Sequence, residues 1–285
     1  MTTDAEELTI EIPGFTIEAL AWGEPEAPPV LSMHGWLDNA ATMARLAPRI
    51  EGRRIVCFDF PGHGRSSHRP AGQSYHFVDL VPTIFDVADA LEWETFSILA
   101  HSMGAAASLL AAGTRPDRIE RMALIDGFGP WTTPAEEAPE LLAEGLAERK
   151  TLLEKSNRTF PQPEAALRVI AEMYGLQEEE AEPLIDRGLV EGEEGGWRFS
   201  YDLQLRGRSL IRFTEPQVLA FLERATPPAL LVRPTSGWPI DEELLRPRLD
   251  AVPDLRTVEV DGGHHVHLSD PASVAELVGP FLDGG

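Results

Sequence analysis

The stretch "LAHSMGAA", residues 99–106, sets a serine between a strand-type apolar run, "FSILA", and a good helix former, "GAAASLLAAG". On such a strand-to-helix turn Ser102 has its Oγ lifted above the carboxyl edge of a sheet, with helix N–H groups beside it. Those are the needs of a nucleophile in acyl transfer. Strand and helix nearly touch there, so the flanking residues must be small, and Ala100, Gly104 and Ala105 are. Ala100 stands where the pattern G-x-S-x-G has its first glycine; size is the constraint at that position, so alanine is tolerated. A serine before a helix can also be a simple N-cap, so other segments must decide.

Three of them do. "LSMHGWLDN" puts His34-Gly35 directly after a strand, where Gly35 lets the backbone turn over the site. The N–H groups of Trp36 and Met103 then make a two-donor oxyanion hole, each donor worth about 2.7–4 kcal/mol. "FDFPGHGRSS" is a strand followed by a glycine-punctuated loop, in which Asp59 and His63 read as structural hydrogen-bonding residues. "VDGGHHVHLSDP" places His264, His265 and His267 after the last strand, downstream of any acid. The resulting order is nucleophile, acid, histidine. No acidic or cysteine cluster joins these histidines at ligand spacing, so no metal is expected.

The elements that must hold these residues are legible as runs. "ELTIEIP", "FTIEALAWG", "PVLSMHG", "RRIVCFDF", "FSILAHS", "RMALIDG", "ALLVRP" and "LRTVEVDG" read as eight strands, the first two an antiparallel pair. Helix-length segments at 40–50, 76–93, 103–113 and 241–249 separate most of the others, and "PASVAELVGPFL" closes the chain. This alternation predicts a mostly parallel sheet covered on both faces. About a hundred residues between "RMALIDG" and "ALLVRP" break the rhythm, too many for one crossover. Helical stretches at 136–156, 163–174 and 179–190, the aromatic "GGWRFSYD" and a helix at 215–225 fill the interval. The strand pattern resumes afterwards, so the interval reads as an insertion: a core of 1–130 and 215–285 with a helical cap at 131–214.

"HGWLDNAATM", "FDFPGHGRSSHRP", "AHSMGA" and "LIDGFGP" together make the chain resemble an α/β-hydrolase over essentially its whole length, in the serine hydrolase-like protein branch. The resemblance implies an eight-stranded α/β-hydrolase fold with a helical cap and Ser102 as nucleophile. It implies His264, after Gly263, as base, with His265 as runner-up and His267 as a structural neighbour. His34, Gly35 and His101 fall at motif positions that line the pocket. In most relatives the acid follows the "ALLVRP" strand, but "RPTSGWPIDEELL" has Ser236 and Gly237 there. Asp126, at the tip of the strand after the nucleophile strand, is the preferred acid. Asp241 is the alternative, although an aspartate at a helix start is favoured by the dipole alone. A histidine working without a carboxylate is the third reading.

The expected activity is hydrolysis of small to medium uncharged carboxylic esters through an acyl-enzyme, with no cofactor. The rivals are C–C hydrolysis or cofactor-free peroxidation on the same fold, and a catalytically weak binding module. Trp131, Tyr174, Trp197, Phe199, Tyr201 and Trp238 are the aromatic residues able to line the cap; Trp131, Trp197 and Trp238 are taken as substrate-binding. Composition agrees: 43% hydrophobic and 25% charged residues describe a globular chain. A formal charge of -23 repels nucleic acid and anionic membranes. No basic leader precedes an apolar run, and no apolar run nears the roughly 18 residues of a membrane span. A cytoplasmic monomer or homodimer acting on a small molecule is the expectation. Cys57, the single cysteine, lies in an apolar run and reads as an inert buried thiol.

Overall fold

The structure, a computed structural model, describes residues 5–192 and 194–285. Positions 1–4 of the expected core and position 193 of the expected cap lie outside the described residues. The chain begins with β1 (Glu6–Ile12), β2 (Phe15–Trp22), β3 (Pro29–Met33) and β4 (Arg54–Phe58). It continues through helix α1 (Leu80–Ala90), β5 (Phe96–His101), α2 (Met103–Thr114) and β6 (Ile119–Ile125). The intervening segment holds α3 (Ala138–Leu153), β7 (Thr159–Phe160), α4 (Pro163–Tyr174), α5 (Glu178–Gly188), β8 (Leu189–Glu191) and β9 (Trp197–Phe199). The last part holds α6 (Glu215–Leu222), β10 (Ala229–Ser236), α7 (Glu242–Ala251), β11 (Leu255–Gly263), α8 (Val266–Ser269) and α9 (Pro271–Leu282).

Among the described residues eight strands form one sheet in the order β1-β2-β4-β3-β5-β6-β10-β11. β1 pairs with β2 and β2 with β4 antiparallel; every later pairing is parallel. The central strands read as continuous apolar runs because both faces are covered. Alternate residues enter two separate cores. Leu31, Met33, Val56, Ile98 and Leu124 pack against α1, α2 and α6, whereas Val30, Ile55, Leu99, Ile125 and Val232 pack against α9 and residues 40–50. Helix α2 is apolar around its whole circumference, as a helix buried on all sides must be.

The segment 40–50 is not the helix that its pattern suggested. Two short 3₁₀ turns, Ala40–Met43 and Ala47–Arg49, replace it. Pro48 lies in the first turn of the second of these, where its missing N–H costs no hydrogen bond, and it disfavours an unbroken α-helix through the segment. The aromatic "GGWRFSYD", to which the sequence pattern assigned no element, supplies a strand to the otherwise mostly helical insertion. Trp197–Phe199 forms the middle strand of a three-stranded antiparallel sheet, β7-β9-β8, over a small core of Phe160, Ala166 and Ile185. No described helix is long and apolar enough to cross a membrane.

One buried ion pair fastens this segment to the sheet. Arg187 of α5 donates through Nε to Asp59 Oδ2 at 3.1 Å, and its Nη2 lies 2.9 Å from the same oxygen but outside hydrogen-bonding direction. The Asp59 carboxylate also accepts the N–H groups of Ala40 and Arg65 at 2.6 and 2.8 Å. Removing one partner of such a pair strands the other charge in the interior. Arg187→Met is therefore expected to cost about 3–5 kcal/mol in urea unfolding. A loss below 1 kcal/mol would contradict the assignment of this pair as the tie.

Candidate active site

β5 ends at His101 and α2 starts at Met103, so Ser102 alone makes the turn between them. Its φ of 50° and ψ of -114° lie in a region that side chains rarely adopt, a strain of about 1–3 kcal/mol. Surrounding backbone bonds hold it there. The Ser102 N–H donates to Ile125 O at 2.9 Å, and the Gly104 N–H donates to His34 O at 3.1 Å. A Cβ on Gly104 would stand 2.6 Å from that of Met33, which is why a glycine occupies this position.

The Ser102 hydroxyl lies 3.0 Å from His264 Nε2, and His264 Nδ1 lies 2.5 Å from Asp126 Oδ2. The three side chains come from the ends of β5, β6 and β11, neighbouring carboxyl edges of the sheet with β10 between the last two. Asp126 also has a positive φ, 43°, and its N–H donates to Val232 O at 3.0 Å, so the strand end bends toward β10. Oδ2 accepts the Trp238 N–H at 2.7 Å. A Cβ on Gly237 would lie 2.6 Å from both carboxylate oxygens of Asp126. The space in which the resemblance leads one to seek an acid is thus filled by Asp126 from the adjacent strand. Asp241 does something else: exposed, it caps α7 by accepting the Glu243 N–H at 2.9 Å.

The loop after β3 lies over α2 through the His34–Gly104 bond. Met103 opens α2, where N–H groups have no partner one turn back. Among the described residues the Trp36 backbone N–H likewise donates to no other backbone group. The Trp36 indole is half-exposed, and its Nε1–H donates to Leu205 O at 2.9 Å.

Four residues expected to touch substrate have other surroundings. His34 is fully buried; its Nδ1–H donates to Gly35 O at 2.7 Å and its Nε2 accepts the Phe60 N–H at 3.0 Å, so neither nitrogen is free. Burial lowers its pKa and keeps the ring neutral. His101 is also fully buried; its Nε2–H donates to His264 O at 2.9 Å, clasping the loop that carries the candidate base. Burial pushes its pKa down to about 4. The bare face of Gly35 is turned to His101 and Asp38 rather than to a pocket. Trp197 packs in the small core with Phe160 and Ile185.

Trp131 and Trp238 do stand near the triad. The Trp238 ring is 5.4 Å from that of His264, and the Trp131 ring is 6.5 Å from that of Trp238, both well exposed.

Sequence reasoning did not single out Asp38, which is buried beside the triad. Its Oδ1 accepts the Tyr174 O–H at 2.9 Å, and its Oδ2 lies 3.3 Å from His265 Nε2 and 3.7 Å from His101 Nδ1. The last distance is too long for a hydrogen bond. The His265 imidazole holds the Asp38 carboxyl well below the usual range, against the opposing effect of burial. Tyr174 stacks on His265 with ring centroids 3.9 Å apart. His267 Nε2 meets Thr42 Oγ1 at 2.7 Å, in keeping with a structural role. The only sequence signal for this cluster was the acid three residues after Gly35 and the alternation of histidines in "HHVH".

The comparisons with known proteins agree with this fold. The family model of the alpha/beta hydrolase fold matches residues 28–271. A serine hydrolase-like protein of Danio rerio is 30% identical over 99% of this chain and 90% of its own length. Among solved structures, a hypothetical protein of Pseudomonas aeruginosa PAO1, PA1622, superposes with a TM-score of 0.92 at 39% identity, covering 98% of both chains. The thioesterase domain from the curacin biosynthetic pathway superposes at 0.83 with 28% identity, over 97% of this chain and 99% of its own. A match over most of the chain, at a sheet order and strand-end site of this kind, places the protein: it belongs to the α/β-hydrolase fold family, with serine hydrolase-like proteins among its full-length relatives.

Proposed function

We propose that the protein is a serine hydrolase that cleaves carboxylic esters through an acyl-enzyme. The observation that carries this is the unbroken chain Ser102 Oγ, His264 Nε2, His264 Nδ1, Asp126 Oδ2, with contacts of 3.0 and 2.5 Å. Ser102 Oγ attacks the ester carbonyl while His264 Nε2 takes its proton. The tetrahedral oxyanion accepts the N–H groups of Trp36 and Met103. Asp126 holds His264 Nδ1–H and stabilises the imidazolium. Collapse breaks the carbon–alkoxide bond, and His264 returns the proton to the departing alcohol. Water then attacks the acyl-enzyme, giving its proton to His264, which passes it to Ser102 Oγ as the acid leaves.

Trp131, Trp238 and the half-exposed Trp36 favour an uncharged, partly apolar substrate at the mouth of the site. The overall charge of -23 disfavours anionic ones. Thioesters are a second reading, favoured by the likeness to the curacin thioesterase domain; the acyl-enzyme is the same and only the leaving group differs.

A fluorophosphonate probe is expected to label the protein at Ser102, located by peptide mass. Absence of label would remove the proposal. A panel of p-nitrophenyl esters of graded chain length, with matched acyl thioesters, then ranks substrates. Trp238→Ala leaves the backbone N–H on Asp126 in place and removes only the ring. KM for a medium-chain ester should rise roughly three- to tenfold with kcat little changed, the worth of one aromatic contact. An equal fall in kcat and kcat/KM would mean that the ring acts in the transition state instead.

A further inference from the structure

The Asp38 cluster has no part in the acyl-transfer steps, and its geometry asks for a cation. Asp38 Oδ2, His101 Nδ1 and His265 Nε2 all lie within 4.8 Å of one another, and all three residues are buried. Two of the separations are 3.3 and 3.7 Å. A tetrahedral ion with bonds of about 2.0–2.1 Å holds its ligand atoms about 3.4 Å apart. The His101 Nε2–H is used on His264 O, so Nδ1 carries a lone pair. That lone pair has no partner among the described residues and faces a carboxylate oxygen. Two acceptors thus point at one another with nothing shared between them. A Cβ on Gly35 would intrude 3.0 Å from His101 Nδ1 and 3.1 Å from Asp38 Oδ2, so the glycine keeps that side clear.

We propose that Asp38, His101 and His265 form a three-ligand site for a divalent transition metal of the zinc class. Two imidazoles and one carboxylate suit zinc, cobalt or copper and not magnesium or calcium. The outer partners that orient metal ligands are already present: Tyr174 O–H on Asp38 Oδ1 and His264 O on His101 Nε2–H, both at 2.9 Å. The three ligands come from separate segments of the chain, which is why no ligand spacing is visible in the sequence. The His101 and His264 rings are 4.6 Å apart. A divalent charge there opposes an imidazolium on His264, so uptake inhibits hydrolysis; that consequence rests on the proposed function, whereas the binding does not.

The test uses the full-length protein stripped with chelator and titrated with Co²⁺ followed by its visible absorption, and with Zn²⁺ by equilibrium dialysis. Wild type, Ser102→Ala and Asp126→Asn should each take up one equivalent with a tetrahedral Co²⁺ spectrum. His265→Gln and Asp38→Asn should each weaken uptake at least about 100-fold. Asp38→Asn keeps the acceptor for Tyr174 and carries the test if His265→Gln does not fold, as judged by circular dichroism. Failure of wild type to bind either ion overturns the proposal. So does uptake lost in Asp126→Asn and kept in His265→Gln, which would put the ion on the His264–Asp126 pair.

Discussion

Replacing Ser102 by alanine is expected to lower kcat for ester hydrolysis by about 10⁴–10⁶-fold, the loss seen when the nucleophile of a coupled triad is removed. The fold should survive. The Ser102 side chain contributes one hydrogen bond, to His264, and the turn is held by the backbone bonds to Ile125 and from Gly104 to His34. Alanine inherits the strained backbone without relieving it, so the far-ultraviolet spectrum and urea midpoint should change little. The same variant should fail to react with a fluorophosphonate. Activity retained within tenfold of wild type, on any ester that the wild type cleaves, rejects the assignment.

The second large effect separates the two candidate acids. Asp126→Asn should cut kcat by about 10⁴-fold, since an amide presents its N–H to His264 Nδ1 and forces the tautomer that cannot accept the serine proton. Asparagine tolerates the left-handed backbone. Oδ2, however, accepts both the Trp238 N–H and the His264 Nδ1–H, so an amide nitrogen in its place also gives up the Trp238 bond. Circular dichroism and the urea midpoint separate that local cost from the loss of chemistry. Asp241→Asn should leave kcat near wild type, because asparagine is as good an N-cap, and lower stability by roughly 0.3–1 kcal/mol through the lost charge at the helix start. Both kcat values on one ester decide the matter. A large loss from Asp241→Asn with Asp126→Asn near wild type would reverse the assignment, and two mild variants would mean that His264 works without a carboxylate.

Much of this arrangement was legible before any coordinates. Strand runs of apolar residues on either side of a helix of alanines could hardly form anything but a covered parallel sheet, and the elbow of Ser102 follows from small residues at a strand end. The exchange of Gly237 for an acid was readable too, since a glycine cannot supply a carboxylate. What stayed hidden depended on tertiary direction. Motif position gave His34 and His101 a place near the site, but not that their rings turn inward to Gly35, Phe60 and His264. Asp38 becomes notable only when Tyr174, from a helix far along the chain, arrives to donate to it. The 3₁₀ turns of 40–50 stayed hidden because a short apolar segment has the same pattern whether it forms one helix or two turns, with Pro48 the one local sign against a continuous helix.

The crowding between Gly237 and Asp126 also bears on what position 237 can become. With Cβ at position 237 falling 2.6 Å from both Asp126 oxygens, a side chain there would push the Asp126 carboxylate out of its place against His264 Nδ1 and the Trp238 N–H. If Asp126 is the acid, a form with a carboxylate at both positions would therefore hold only one of them on the histidine. One missing methyl group thus leaves the carboxylate its seat.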